Sequence, residues 1–178
     1  MNVIVLGAGT FGTAIANELA IDMTNKVLLY SRNQKKVDEI NKHNTNKSCF
    51  LNKQLRKQLE ATSDIADISN ADIIFIALPS SVIVDNLIFL RNHLKDSVLL
   101  VNLSKGLLED GLTIIESIKN DLGINNVVTL KGPSFAVELM EHSDTLMTLG
   151  CSTKEQYDVI KKIVKRTALH IECTNDIR

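Results

Sequence analysis

A chain of 178 residues has the size of one domain, and with 44% hydrophobic and 23% charged residues it can bury a single core, which excludes a disordered chain. The 20 Lys and Arg against 21 Asp and Glu leave a net charge of -1, which argues against a generic nucleic-acid binder, and the 4% aromatic content without Trp disfavours stacking platforms for single strands or sugars. No apolar run approaches the ~18 residues of a membrane helix, and the start MNVIVLGAG has no basic leader or cleavage site, so a soluble cytoplasmic protein without membrane insertion is expected.

Residues 2–6, NVIVL, are an unbroken apolar run ended by Gly7, the pattern of a strand buried on both faces. From Thr10 onward Ala14, Ile15, Leu19 and Ile21 fall near helical spacing, so strand, glycine turn and helix make the first unit. KVLLY at 26–30 reads as a second strand and VDEINKH as a polar helix. The Asn- and Lys-rich stretch that follows, to about residue 58, reads as a surface excursion with solvated basic residues. ADIIFIAL at 71–78 is a strand stopped by Pro79, and SVIVDNLIFLRNHL a helix with apolar Val82, Val84, Leu87, Ile88 and Leu90. SVLLVNL at 97–103, NVVTLK at 126–131, TLMTLG at 145–150 and ALHIEC at 168–173 read as strands. Helices are expected over 113–122, 134–140 and 153–165. Strands alternating with helices over the whole length imply a doubly wound, mostly parallel α/β domain. Cys49, Cys151 and Cys173 are odd in number, far apart and outside any CxxC spacing, so they read as reduced thiols, with neither a disulfide nor a metal site.

Gly7-Ala8-Gly9-Thr10-Phe11-Gly12 follows a strand and opens a helix, the context in which GxGxxG binds a dinucleotide. Gly7 permits the tight turn, Gly9 lets the backbone approach a pyrophosphate, and Gly12 lets helix and strand pack closely, while the helix N-terminus offers N–H groups to the anion. The second strand ends in Tyr30-Ser31-Arg32-Asn33, with no carboxylate before Asp38, so Arg32 suits a 2′-phosphate and favours NADPH over NADH. At later strand ends, Lys105 in NLSKGL could hold a phosphate or polarise a carbonyl. Gly132 and Ser134 in GPSFAVEL could meet an oxygen-rich ligand through Ser134 and free backbone N–H groups. His43 and His93 read as solvated, and His142, just past the GPSFAVEL helix, could face the crevice.

GAGTFGTAIA, YSRN, ALPS, NLSKGL and GPSFAVEL, in this order and at these separations, resemble the N-terminal domain of the bacterial NAD(P)-dependent glycerol-3-phosphate dehydrogenases. The resemblance implies a Rossmann-like fold and the reduction of dihydroxyacetone phosphate to sn-glycerol 3-phosphate, the backbone precursor of phospholipids. It implies cofactor contacts at Thr10, Phe11, Arg32 and Ala136, a Lys105 that touches both cofactor and substrate, and substrate contacts at Gly132 and Ser134. Family members continue into a helical domain that carries a lysine proton donor and an Arg-Asn pair for the phosphate. On that basis residues 1–174 are the dinucleotide-binding domain, 175–178 begin the helical one, and the proton donor lies outside this chain. The full-length form is expected as a homodimer. The loop at 43–58 lacks the Pro and Gly common there in the family. Two other readings stay open on the residues alone: a non-catalytic nucleotide-binding module, which needs only the fingerprint, and a reductase of hydroxy acids or ketopantoate on the same architecture.

Overall fold

Val, Ile and Leu fill most positions of the segments 2–6, 73–76, 99–102 and 127–131, which places those strands inside a sheet with both faces covered. The computed structural model, which describes residues 1–106, 108 and 111–176, has this arrangement. Strands β1 (Asn2–Leu6), β2 (Lys26–Tyr30), β3 (Glu60–Thr62), β4 (Ile73–Ile76), β5 (Leu99–Asn102), β6 (Val127–Lys131), β7 (Thr145–Gly150) and β8 (Leu169–Thr174) form one sheet in the order β3-β2-β1-β4-β5-β6-β7-β8. Pairing is parallel except between β6 and β7.

The two-residue period of β1 divides the core. Val3 and Val5 pack with α1 (Thr10–Leu19), α2 (Gln34–His43), α5 (Ala136–Met140) and α6 (Lys154–Val164) on one face, and Ile4 and Leu6 with α3 (Ser80–Leu90) and α4 (Ile114–Leu122) on the other. The chain moves outward from β1 in one direction through β2 and β3 and in the other from β4 onward. The order therefore reverses between β1 and β4 and opens a crevice at their C-terminal ends. Among the described residues no helix is long and apolar enough to cross a membrane, and no cluster of three or more His, Cys, Asp and Glu could hold a metal.

The sheet is mostly parallel, as expected, and several details go beyond the sequence reading. The antiparallel β7 follows from the brevity of α5, whose 5 residues span about 7.5 Å, too short to carry the chain back along a strand of roughly 17 Å for another parallel pairing. The buried stripe of α3 is Ile83, Leu87 and Leu90, whereas Ile88 is exposed. The edge strand β3 and the 3-10 turns at Ile65–Asn70 and Arg91–His93 are additional elements.

The stretch after α2 keeps Lys47, Lys53 and Lys57 exposed, as expected, but it is also anchored in the core. Phe50 and Leu55 join the core and Asn46 is fully buried, while Lys53 pairs with Glu141 at 2.9 Å and Arg56 with the buried Glu18 at 3.6 Å. A few apolar anchors and one buried carboxyl group hold a segment whose composition is mostly polar. The cysteines, distant in sequence, are also not all distant in space. All three are free thiols, yet the Sγ atoms of Cys151 and Cys173 lie 3.2 Å apart, because the β7–β8 pairing brings residue 173 beside the end of β7.

Candidate functional site

The turn after β1 is fixed by sterics. Gly7 has φ 108°, and a Cβ there would stand 2.6 Å from the Ala77 carbonyl oxygen; a Cβ on Gly12 would stand 2.0 Å from that of Gly7. Gly9 differs: nothing lies within 4 Å of where its Cβ would be, so a ligand can approach its backbone. Gly9 also caps α1 without a side-chain bond, whereas α4 and α6 begin with Thr113 and Glu116, or Thr153 and Gln156, closing reciprocal caps. The first N–H groups of α1, at the positive end of its dipole, thus lack a side-chain partner and suit an anion.

Beside this turn lies a cleft of about 350 Å³ whose walls include Gly7, Gly9, Ser31, Arg32 and Lys36, with Leu78 opposite and no carboxylate in the lining. Arg32 is exposed and has no ion pair among the described residues. Asp38, the first acidic residue after β2, is engaged by Gln34 Nε2 at 2.9 Å and by Lys42 at 4.0 Å on its own helix. Two residues absent from the sequence reading complete the turn. Lys36 Nζ donates to the Ala8 carbonyl at 2.9 Å, and Asn46 Nδ2 donates to the same oxygen at 3.3 Å and to Thr13 Oγ1 at 2.9 Å. Lys36 carried a signal, a cation four residues beyond Arg32 in the first turn of the next helix. Asn46, one more Asn in a polar stretch, carried none. Glu39 holds that stretch by accepting the Lys47 N–H at 2.7 Å and the Thr45 hydroxyl at 2.9 Å, and these bonds, the Lys47 N–H foremost, lower its pKa from the ordinary 4.5.

The other lip is formed by the tips of β5 and β6. Ser104 donates its hydroxyl to the Leu78 carbonyl and its N–H to Asn102 Oδ1 at 3.0 Å, so it joins β5 to β4 and leaves the next residue, Lys105, exposed and unpaired among the described residues. Gly106 has φ 100° beside Ser80, and Leu107 of the KGL string lies outside the described residues. After β6, a Cβ on Gly132 would stand 2.9 Å from the Leu146 carbonyl oxygen, so Gly132 lets β6 and β7 pack closely; Ser134 follows, half-buried. The Phe135 N–H is not free, since Glu138 Oε2 accepts it at 3.2 Å.

Gly7, Gly9 and Arg32 thus share the cleft. Thr10, Phe11 and Gly12 lie on α1, with Phe11 and Ala136 packed on one core cluster, and Lys105, Gly132 and Ser134 stand on neighbouring strand tips outside the cleft wall. His142 Nδ1 lies 2.8 Å from the buried Glu18 Oε1.

The family model of the NAD-dependent glycerol-3-phosphate dehydrogenase N-terminus matches residues 2–157. Curated relatives named glycerol-3-phosphate dehydrogenase (NAD(P)+) include that of Neorickettsia sennetsu, 32% identical over 178 residues covering 99% of this chain and 53% of the relative, and that of Mesoplasma florum, 30% identical over 182 residues covering 99% and 54%. The chain therefore spans about half the length of the curated relatives it matches. Glycerol-3-phosphate dehydrogenase structures share the fold: that of Coxiella burnetii at TM-score 0.87 and 22% identity, covering 99% of this chain and 54% of its own, and that of Plasmodium falciparum at 0.90 and 20%, covering 99% and 53%. A match running from β1 into α6 takes in every segment of the crevice, and the chain belongs to the N-terminal family of NAD-dependent glycerol-3-phosphate dehydrogenases.

Proposed function

We propose that residues 1–174 are the dinucleotide-binding domain of an NAD(P)-dependent sn-glycerol-3-phosphate dehydrogenase, which reduces dihydroxyacetone phosphate to glycerol 3-phosphate for phospholipid synthesis. The observation that carries this reading is the cleft beside Gly9, open above the backbone and lined by Arg32 and Lys36 without a carboxylate. The residues fit a dinucleotide. Gly9 and the uncapped start of α1, with Thr10 and Phe11, receive the pyrophosphate, and Arg32 receives a 2′-phosphate through a charge-assisted contact. Arg32 in place of a carboxylate favours NADPH while leaving NADH usable. Ala136, packed on the same core cluster as Phe11, completes the cofactor side.

When bound, nicotinamide supplies a hydride to the keto carbon of the substrate. Lys105, exposed at the β5 tip and unpaired among the described residues, holds substrate and cofactor and stabilises negative charge growing on the carbonyl oxygen, while Gly132 and Ser134 border the substrate. The proton for that oxygen comes from the part of the relatives that this chain does not span, into which residues 175–178 lead. A cytoplasmic location and a homodimer of the full-length form belong to the same reading. Lys105 at the β5 tip, unpaired among the described residues, favours it over a nucleotide-binding module without catalysis.

Calorimetric titration of the folded chain with NADPH and with NADH tests the proposal. Weak binding of both, tighter for NADPH, is expected; no binding at millimolar dinucleotide would overturn it.

A further inference from the structure

The end of the sheet opposite the crevice carries two thiols that the proposed reaction does not use. Because β7 runs antiparallel to β6, the C-terminal ends of β7 and β8 lie at the N-terminal end of β6, away from the glycine turn. Cys151 follows β7 directly and is buried; Cys173 sits in β8 and is exposed. Their backbones are fixed by the ladder, with Leu149 opposite Cys173, Gly150 opposite Thr174, and the Cys151 N–H donating to the Thr174 carbonyl at 3.1 Å. The Sγ atoms are 3.2 Å apart. A bonded pair stands at about 2.05 Å, a closure within the reach of small side-chain rotations.

We propose that Cys151 and Cys173 are a modification site, a thiol pair that exchanges with low-molecular-weight disulfides and closes into an intramolecular disulfide tying the edge strand β8 to β7. The exposed Cys173 meets the small disulfide first. Its thiolate, having released its proton to solvent, attacks one sulfur, the small S–S bond breaks, and one thiolate leaves. Cys151 then gives up its proton and attacks Cys173 Sγ, the mixed disulfide breaks, and the second small thiolate leaves. The two cysteines lose two electrons and two protons, and the small disulfide becomes two thiols. Burial, and then the neighbouring Cys173, push the Cys151 thiol up to about 11, so the exposed Cys173 takes the first step, and Cys151 attacks through the small fraction of thiolate held 3.2 Å from its target. Cys49, on the far side of the sheet order against the Ala8 carbonyl, has no thiol neighbour among the described residues and serves as an internal control.

The test is incubation of the chain with oxidised glutathione, alkylation of remaining thiols, and mass mapping of the peptides. The expected product is lighter by two hydrogen atoms, with Cys151 and Cys173 peptides linked, Cys49 alkylated, full reversal by dithiothreitol, and amide exchange in β8 slowed about tenfold or more. Cys151→Ser should instead accumulate one glutathione on Cys173. A lasting glutathione adduct on Cys173 of the parent chain, linkage through Cys49 or between chains, or no reaction at a Cys173 that alkylates readily would each overturn the proposal. The mapping on the parent chain decides even where the variant fails to fold.

Discussion

The turn after β1 and the lip after β5 and β6 face the same crevice but are built in opposite ways. At the turn, geometry is imposed from several sides: Gly7 and Gly12 have no room for a Cβ, and the carbonyl between Gly7 and Gly9 is held by Lys36 and Asn46 from two other segments. At the lip, one bonded serine, Ser104, supports a lysine that touches no carboxylate among the described residues. The first region can organise an anion by itself. The second presents a charge that no carboxylate among the described residues answers, in a chain spanning about half the length of its relatives.

The contrast is sharpest where sterics decide. Gly12→Ala puts a methyl group on the Gly7 carbonyl and should cost about 3 kcal/mol or more, read as a fall in the denaturation midpoint. An alanine at Gly9, where space is open, should leave stability within about 1 kcal/mol while weakening dinucleotide binding. If both variants lose stability equally, the distinction within the turn fails. Next in size is the lip. In a protein completed by the helical half, Lys105→Ala should lower kcat/KM at least ~100-fold, measured by NADPH oxidation. The 178-residue chain alone should give no turnover of dihydroxyacetone phosphate, and robust turnover would put the proton donor within it.

A smaller effect separates the two cofactors. Arg32→Ala should remove the NADPH preference, a loss of about 1.5–3 kcal/mol or one to two decades in Kd, and leave NADH binding nearly unchanged in parallel titrations. Equal losses for both would show that Arg32 does not read the 2′-phosphate. The smallest concerns acid. The Glu39 pKa in the fold lies below its ordinary 4.5, so its contribution to stability is complete above that value and is lost as pH falls through the lowered one. Protease protection of residues 44–58 should therefore differ between the parent chain and Glu39→Gln at neutral pH, and the difference should vanish in acid.

The strand, turn and helix at the N-terminus were legible because apolar runs, a glycine fingerprint and helical spacing coincide over residues 2–19. Arg32 was legible because its position at the end of β2 follows from that unit. Lys36 offered only its charge near Arg32 and Asn46 offered nothing, since each acts on a backbone carbonyl 28 or 38 residues away and such a bond leaves no local mark. The same holds for His142, whose place is set by Glu18, 124 residues earlier. The brief β3, three residues long, offers too few positions for a period to show. The reversal of β7 depends on the length of α5 rather than on the apolar pattern of β7. The cysteine pair arises from strand register across 22 residues, information that spacing rules for metal and redox motifs do not contain.

Glu18 gives the domain a clock. Its carboxyl group has no solvent exposure and accepts the Ala168 N–H across 150 residues at 2.6 Å, with His142 and Arg56 as its other partners. Left without such partners inside a core, a carboxyl group costs several kcal/mol, so α1 cannot settle in its final bed until they arrive. On a ribosome, where the N-terminal strand and turn emerge early, the nucleotide fingerprint is made long before it can be locked. A nascent chain lacking the residues around Ala168 should remain open to proteases along α1, and the step that closes the domain should follow the release of its last strand.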